Sequence, residues 1–443
     1  MPEYFPENNT PLWSDTEVRS LQKIVSAIEG LTSGGSGGII GSFPTDAFGR
    51  LKISEPFTLF DSSHRYRDNG LWSTYLSATG ASATFNASQG LMDLTINAVE
   101  GSEVIRETTK VFAYQPGKSL LVMSTFVMNP AKEHLVQKVG YYGEDNGMYL
   151  ELSGSTLKFV ERSLVTGSPT ESQVAQANWN GDKLDGTGPS GITLDITKAQ
   201  ILWMDIEWLG LGTVRMGFVI DGQLILCHSF HHANLITSTY ITTASLPLRY
   251  EIKNEATPNP ATSSTLKQIC STVISEGGYQ LNGAQQAVGT PIDTARTLTV
   301  ENTFYPIVSL KLKTSPDRLD AIVILTALSI LPNSTGAYNW QVRSRAVTQG
   351  GSWLSASDDS SVQYNRTGTG IDPTNPGRIL ASGFFSQSNQ SSGQVDILKE
   401  ALFKFQLERD GILGIPYELT LVVASNSDGD QVFASLDWEE ISR

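Results

Sequence analysis

The run TVRMGFVIDGQLILCHSF, residues Thr213–Phe230, decides the fold because it holds two alternating segments joined by a turn signal. On each side of Asp221-Gly222, apolar residues recur at every second position, which is the pattern of a strand with one buried face. The Asp-Gly pair tolerates the positive φ angles that a two-residue hairpin turn requires. We therefore predict a β-hairpin over this stretch.

Similar short runs continue on both sides of the hairpin. They fall at Leu120–Met128, Met148–Leu152, Leu157–Glu161, Ile201–Trp208, Leu246–Ile252 and Leu266–Ile274. Because no helical pattern separates them, these runs predict a mainly β protein. Its first domain, residues 46–282, is expected to be a β-sandwich that resembles the concanavalin-like jelly rolls.

Residues 283–443 predict a second, C-terminal β-sandwich. Its expected strands are Tyr305–Lys313, Ala321–Leu328, Asn339–Val347, Leu402–Leu407, Tyr417–Ala424 and Gln431–Trp438. The preceding segment is rich in Gln, Gly and Ala and has little periodicity, so we place the boundary there. The sequence leaves open whether the two sandwiches contact each other.

Residues 1–31 predict an N-terminal helical anchor. Ser14 and Glu17 form a Ser-x-x-Glu capping box that marks the start of a helix over residues 14–30. One stripe of this helix is apolar, which predicts packing either on another domain or on further copies of the chain, with a trimer favoured. The expected interface residues are Trp13, Val18, Leu21, Val25 and Ile28.

Residues 32–45 form the predicted tether between the helix and the first sandwich. This segment contains TSGGSGG at Thr32–Gly38, and Gly/Ser-rich chains behave as flexible coils. A tether of this kind lets an anchor and a larger body follow different symmetries.

The composition excludes several partners. The 443 residues carry a net charge of −14, which argues against a nucleic-acid groove lined by Lys and Arg. No window approaches the roughly 18 uninterrupted apolar residues of a membrane span, and the N-terminus lacks the pattern of a secretory leader. We expect no nucleic-acid or membrane partner. Cys227 and Cys270 fall in strand-like runs and are expected to be buried thiols, although their pairing stays open.

Asp205 and Glu207 are the acidic residues that most invite a chemical role. They are two apart on a predicted strand, so their carboxylates project from one face beside Trp203. Jelly-roll glycosidases carry acidic residues at three alternating positions, but here Trp203 occupies the first and cannot act as a nucleophile. We therefore expect no catalytic residue, and Trp203, Asp205 and Glu207 become a candidate glycan-binding set.

Two further clusters invite a metal site. His228, His231 and His232 are close in sequence, but on an extended strand 228 and 231 face opposite sides. The loop aspartates Asp182, Asp185 and Asp195 do not match calcium-loop spacing and are expected to form turns that they stabilise themselves. We expect no metal and no cofactor.

Several aromatic residues could form either a sugar-stacking surface or the core of an interface, since both use the same rings. We expect ordinary core packing for most of them. They are Trp72, Tyr141, Tyr142, Trp179 and Trp353.

Five runs in residues 1–280 carry a resemblance to a known family. They are DAFGRLKISEPFTLFDS (Asp46–Ser62), YQPGKS (Tyr114–Ser119), WNGDKLDGTGPSGITLD (Trp179–Asp195), WLGLGTVRMGF (Trp208–Phe218) and ICSTVISEGGY (Ile269–Tyr279). The sequence resembles virion structural proteins of tailed phages, largely marine and cyanobacterial. The resemblance implies a location in the virion and other virion proteins as partners.

The expected function is that of a non-enzymatic structural component of a tailed-phage virion. A fibre, neck or tail-associated decoration protein that docks in many copies fits the anchor, tether and sandwiches. The alternative is a carbohydrate-binding protein that recognises a host surface glycan during attachment. A weaker alternative is a glycan hydrolase.

Overall fold

The computed structural model describes residues 55–77, 80–255, 263–280, 282–386, 395–396 and 405–442. The predicted helix and tether, with all five expected interface residues, lie outside these ranges. The described part is mainly β, with one turn of 3-10 helix at Gln176–Asn178. None of its helices is long and apolar enough to cross a membrane.

Fifteen strands build the first sandwich. They are β1 Phe57–Ser63, β2 Trp72–Leu76, β3 Ser82–Asn86, β4 Leu91–Ile96, β5 Glu103–Thr108, β6 Leu120–Val127, β7 Leu135–Tyr142, β8 Gly147–Ser153, β9 Thr156–Ser163, β10 Thr170–Ala175, β11 Gln200–Ile206, β12 Val214–Ile220, β13 Gln223–Phe230, β14 Leu248–Asn254 and β15 Ser264–Ser275.

These strands form two antiparallel sheets. Sheet 1 has the order β13-β12-β11-β6-β15-β4-β3, with β1 also paired to β15. Sheet 2 has the order β10-β9-β8-β7-β14-β5-β2. Strands that are distant in sequence, such as β6 and β15, therefore become neighbours.

The predicted hairpin is confirmed as β12 and β13. Ile220 pairs with Gln223, and the turn residues Asp221 and Gly222 have φ angles of 52° and 76°. Positive φ at both central residues suits the right-handed twist of the flanking strands.

One hydrophobic core lies between sheets 1 and 2. Sheet 1 supplies Val122, Phe126 and Phe218, and sheet 2 supplies Val139 and Leu150, all with 0% exposure. Alternation along each strand puts these residues inside and leaves the intervening side chains on the outer faces of the sheets. Those outer faces hold the candidate site.

Thirteen strands follow in the rest of the chain that the structure describes; eleven of them form the two sheets of the second sandwich, and the other two pair only with each other. The thirteen strands are β16 Ala284–Gly289, β17 Arg296–Leu298, β18 Tyr305–Leu312, β19 Ile322–Pro332, β20 Ala337–Gln349, β21 Leu354–Ser355, β22 Val362–Asn365, β23 Gly370–Ser386, β24 Val395–Asp396, β25 Arg409–Asp410, β26 Ile415–Pro416, β27 Leu419–Ser425 and β28 Asp430–Ser442.

Sheet 3 has the order β16-β28-β19-β24, with β17 also on β28, and sheet 4 has the order β21-β22-β18-β27-β20-β23. Leu325 and Trp438 of sheet 3 pack against Leu310, Leu421 and other residues of sheet 4 in a second core. The predicted strand Leu402–Leu407 is wrong in its described part, because residues 405–407 belong to none of the named strands.

Candidate functional site

Trp203 and Asp205 lie on the outer face of sheet 1. Leu202, Met204 and Ile206 of β11 point into the core with 0% exposure, so the intervening residues of this strand face outward. In the neighbouring strands, Trp203 is opposite Met123 and Gly217. β11 ends at Ile206, so Glu207, which is exposed, follows the strand.

Gly217 makes room for the Trp203 ring. A Cβ atom at this position would lie 1.9 Å from the Ile225 carbonyl oxygen and 2.9 Å from Trp203 Nε1. Trp203 is only 6% exposed, and its Nε1 has no hydrogen-bond partner in the described part of the molecule. A buried indole N–H without an acceptor is uncommon, since it normally finds a partner.

Asp205 is also only partly satisfied. Arg215 donates to Asp205 Oδ2, whereas Oδ1 has no partner among the described atoms. Burial raises the pKa of Asp205, Arg215 opposes this shift, and the negative charges of Glu276 and Glu207 add to it. The outer face of sheet 1 thus has one buried unpaired donor and one buried unpaired acceptor, two residues apart on a single strand.

Glu276 is a neighbour that the sequence did not predict. Both Ile206 and Ser275 pair with Leu120, so the residues that follow them come to the same end of β6. Ser119 Oγ donates to Glu276 Oε2 at 2.7 Å. Only the pairing of β6 with β15 reveals this proximity, since 157 residues separate Ser119 from Glu276.

Exposed apolar side chains surround the Trp203 ring. Gly217 pairs with Leu226, which is 39% exposed, and Val219 pairs with Leu224, which is 56% exposed. Ile201, two residues before Trp203, is 37% exposed. We call Ile201, Trp203, Asp205, Leu224 and Leu226 the Trp203 face.

The three clustered histidines have separate partners. His228 Nδ1 accepts from the Asn180 N–H, and His231 Nδ1 lies 3.4 Å from Thr213 Oγ1. His232 stacks on Tyr240 with ring centroids 4.0 Å apart. Across the described ranges, no group of three His, Cys, Asp or Glu residues could hold a metal ion.

His232 links the two sheets of the first sandwich. Its Nε2 lies 2.8 Å from Glu161 Oε2 of β9, and its Nδ1 faces the Gly212 carbonyl. Both contacts are acceptors, so the ring satisfies both only as an imidazolium. Burial lowers the pKa of His232, but the Glu161 and Gly212 hydrogen bonds outweigh it and raise the pKa above its usual value.

The loop aspartates behave as predicted. Asp182 Oδ1 accepts from the Leu184 N–H, Asp185 Oδ1 from the Thr187 N–H and Asp195 Oδ1 from the Thr197 N–H, each two residues on. These are Asx turns.

Core packing is confirmed for most of the predicted aromatic set. Trp72, Tyr141 and Trp179 belong to the core of the first sandwich, and Tyr142 packs in a small buried cluster with Tyr149 and Val160. Trp353 is partly exposed, with Lys311 Nζ 4.0 Å from its ring centroid. Cys227 is buried as predicted, whereas Cys270 is half-buried, and both are free thiols.

A ladder of ion pairs covers the outer face of sheet 2. Its pairs are Lys138–Glu251 at 3.0 Å, Lys158–Glu151 at 2.8 Å, Arg162–Glu171 at 2.7 Å, Arg249–Glu107 at 3.3 Å and Lys253–Glu103 at 3.5 Å. Neighbouring strands supply opposite charges at adjacent positions, which stabilises an antiparallel sheet.

The ladder ends at a seam between the two sandwiches. Arg409 Nη1 donates to Glu107 Oε1 at 2.7 Å, and the Arg409 N–H donates to the Thr109 carbonyl at 2.8 Å. Gln406 Nε2 donates to the Val111 carbonyl at 3.0 Å, and Arg345 Nη2 donates to Thr109 Oγ1 at 3.1 Å.

A small apolar cluster completes this seam. It consists of Val111, Ala113, Ile322 and Ile324, so both sandwiches contribute to it. The two sandwiches therefore contact each other through buried polar and apolar groups. A cavity of about 610 Å³ opens beside them, lined by Glu107, Asp145, Asp320 and Arg409 among others.

No protein-family model matches the sequence, and no curated protein matches it either. Solved structures match the fold. A protein of unknown function from Shewanella oneidensis MR-1 has a TM-score of 0.34 at 10% identity, over 62% of this chain and 100% of its own.

Two carbohydrate-related structures also match. The Emp47p carbohydrate recognition domain has a TM-score of 0.31 at 10% identity, over 52% of this chain and 99% of its own. A glycoside hydrolase family 16 protein of a mixed-linkage glucan locus of Bacteroides ovatus has a TM-score of 0.34 at 9% identity, over 48% and 99%. The likeness is to a concanavalin-like β-sandwich fold and carries nothing about activity.

Proposed function

We propose that this chain is a non-enzymatic structural component of a tailed-phage virion. It acts as a fibre, neck or tail-associated decoration protein, and its partners are other virion proteins and further copies of itself. The five sequence runs that resemble virion proteins support this assignment. Multivalent docking of many copies makes weak single contacts strong.

The observation that carries the proposal is the seam. Glu107, Arg249 and Arg409 are all nearly buried and ion-paired, and breaking such a pair leaves an uncompensated charge. Two sandwiches joined in this way resist being pulled or bent apart. A two-sandwich body joined by buried contacts, behind the predicted tether, suits a particle appendage.

The test is incorporation into particles. In a phage that encodes Leu21→Asp with Val25→Asp, charges enter the predicted apolar stripe, and we expect purified virions to lack this protein by immunoblot. Gln22→Asp, off the stripe, is the matched control and should incorporate normally. Absence of the wild-type protein from purified virions would reject the function, whereas normal incorporation of the double variant would reject the anchor alone.

A second candidate function is recognition of a host surface glycan by the Trp203 face. The free Trp203 Nε1 donor and the free Asp205 Oδ1 acceptor, beside exposed Leu226, favour it. Trp203→Phe keeps an aromatic ring and removes the donor. We expect it to weaken saturable binding of purified bacterial surface polysaccharides about tenfold, which corresponds to one lost hydrogen bond. Trp353→Phe should bind like the wild type, and no saturable binding by the wild type rejects this candidate.

A further inference from the structure

The loop His64–Leu71, which joins β1 to β2, places one histidine inside the first sandwich. Residues 65–67 of this loop are exposed, and Tyr66 is 78% exposed. His64 differs from them, since it is only 1% exposed. Neither of its ring nitrogens has a hydrogen-bond partner in the part of the chain that the structure describes. A buried polar side chain without a partner is rare, because leaving it unpaired costs free energy.

The charges around His64 favour its neutral ring. The nearest carboxylate is that of Asp68, whose Oδ1 lies 3.9 Å from His64 Nδ1, too far for a hydrogen bond. Arg106 already binds this carboxylate, because it donates to both oxygens at 2.8 and 3.0 Å. Arg106 is itself 1% exposed, so its positive charge is little screened by water. Burial and Arg106 lower the pKa of His64 to about 4, and Asp68 opposes them only in part.

The strands that pair with β1 or bind Arg106 add no charge that could hold a proton on His64. β15 contributes Gln268, which accepts from Arg106 Nε at 2.8 Å. It also contributes Cys270, whose pKa is raised by burial, so its thiol stays neutral in acid. β2 contributes Thr74, which accepts from Arg106 Nη1 at 2.8 Å. The site therefore offers no acceptor for a protonated ring.

The same loop reaches the second sandwich. Arg345 Nη2 donates to the Gly70 carbonyl at 2.9 Å, and Arg345 Nε donates to Glu408 Oε2 at 2.6 Å. The Thr109 N–H donates to the Leu71 carbonyl at 3.0 Å, next to the point where Arg409 binds the Thr109 carbonyl. The loop thus forms one side of the seam.

We propose that the loop His64–Leu71 is an acid-sensitive latch on the seam. In acid, His64 gains a proton by leaving its buried site, because an imidazolium there would have two unmatched N–H donors beside the Arg106 guanidinium. The loop then moves into water, and Gly70 separates from Arg345. The interior strands of both sheets keep their pairing, so the sandwich stays folded. This latch does not depend on the virion assignment.

The size of the effect follows from the two protonation equilibria of His64. Its pKa is near 6.5 in water and about 4 in the buried site, so the closed loop has its full stability above pH 6.5 and loses it as the pH falls. From pH 7 to pH 5, the equilibrium constant for release should rise about 20-fold. Asp68 adds little in this range, because its pKa is already below 3.8.

Hydrogen exchange of the full chain at pH 7 and pH 5, corrected for the intrinsic rate at each pH, tests the latch. The Thr109 amide reports release, since its acceptor is the Leu71 carbonyl. We expect its corrected exchange to speed up about 20-fold at pH 5, while that of Met204, in an interior strand of sheet 1, changes much less. His64→Leu, which has no titrating group, should remove the acceleration. His231→Gln, at an exposed histidine, should behave like the wild type.

The protonation state of the ring is measured separately, by carbon-13 labelling of the five histidines. The signal that disappears in His64→Gln identifies His64, and in the wild type it should stay that of a neutral ring from pH 7 to pH 5.5. Titration of this signal near pH 6.5 would overturn the proposal. So would unchanged exchange at Thr109, equal acceleration at Met204, or acceleration that persists in a folded His64→Leu protein.

Discussion

The outer faces of sheets 1 and 2 belong to one sandwich but differ in how well their polar groups are paired. On sheet 2, every carboxylate of the ion-pair ladder has a cationic partner, and the buried side-chain atoms of its described strands that lack a hydrogen bond are Ser73 Oγ, Tyr142 Oη and Arg249 Nε. On sheet 1, Trp203 Nε1 and Asp205 Oδ1 have no partner and lie among exposed apolar side chains.

From this difference we expect substitutions on sheet 2 to affect stability and substitutions on sheet 1 to affect any ligand binding. Buried charges that are already paired gain nothing from a ligand, and removing one of them exposes the other to a low dielectric. An unpaired buried donor or acceptor gains a full hydrogen bond when a ligand supplies the partner. Mutations on sheet 2 should therefore change stability, and mutations on sheet 1 should mainly change binding.

The largest effect is expected at Glu107, where the ladder meets the seam. Glu107→Ala leaves Arg249 and Arg409 buried without their carboxylate, and we expect the free energy of unfolding to fall by about 3–5 kcal/mol. Urea denaturation of the full chain measures this change. Glu103→Ala, on the same strand and face but in a more exposed pair with Lys253, should cost less than about 1 kcal/mol. If both variants lost the same free energy of unfolding, the contact of Glu107 with Arg409 at the seam would add nothing to stability.

A middle-sized, pH-dependent effect is expected at His232, which joins the two sheets. Its folded pKa is raised above 6.5, so its stabilisation is fully present below pH 6.5 and is lost as the pH rises through the folded pKa. We expect His232→Gln to lower the free energy of unfolding at pH 6 by about 1.5–3 kcal/mol, the range for charged hydrogen bonds. The difference from the wild type should shrink at pH 9.

The neighbouring His231 provides the control substitution, because its side chain is exposed. His231→Gln should change the free energy of unfolding at pH 6 by less than about 0.5 kcal/mol, the usual range for a surface substitution. If the loss of unfolding free energy in His232→Gln were the same at pH 6 and pH 9, the positive charge of the ring would not contribute to stability.

The smallest effect is expected at Asp205. Its partner Arg215 is 48% exposed, and pairs of this kind contribute about 0–1 kcal/mol. Because burial raises the folded pKa of Asp205, its contribution to stability falls as the pH rises through that pKa. Asp205→Asn should therefore change the free energy of unfolding at pH 7 by less than about 1 kcal/mol.

The same variant separates binding from hydrolysis. A non-enzymatic face predicts no release of reducing ends from host polysaccharide by the wild type. Release that disappears in Asp205→Asn or Glu207→Gln would establish the glycan hydrolase alternative instead.

Local pattern was enough to predict eight of the fifteen strands of the first sandwich, whereas β1–β5, β7 and β10 were not predicted. Alternation and Asp221-Gly222 predicted the β12–β13 hairpin, and the Asx turns at Asp182 and Asp185 followed from residue type alone. That Trp203 and Asp205 share one face of the strand also followed from its two-residue period, although the period did not say which face is inward.

The remaining features depend on contacts between distant residues. Glu276 reaches Asp205 only through strand pairing, and the sequence around Arg409 gives no sign of its partner 302 residues away. Strand β23 was missed because Pro373, Pro376 and Gly377 interrupt its pattern, although an edge strand tolerates such residues.

The Glu107–Arg409 contact also has a consequence for synthesis on the ribosome. Every strand of the first sandwich has been translated by Ser275, whereas the partner that completes its ion pair is still 134 residues away. At about 5–20 residues per second, the nascent sandwich waits roughly 7–27 s with the Glu107 surface open to water. During that interval the carboxylate of Glu107 has Arg249 of the same sheet as its charge partner, and the pair is completed only when Arg409 has been synthesised.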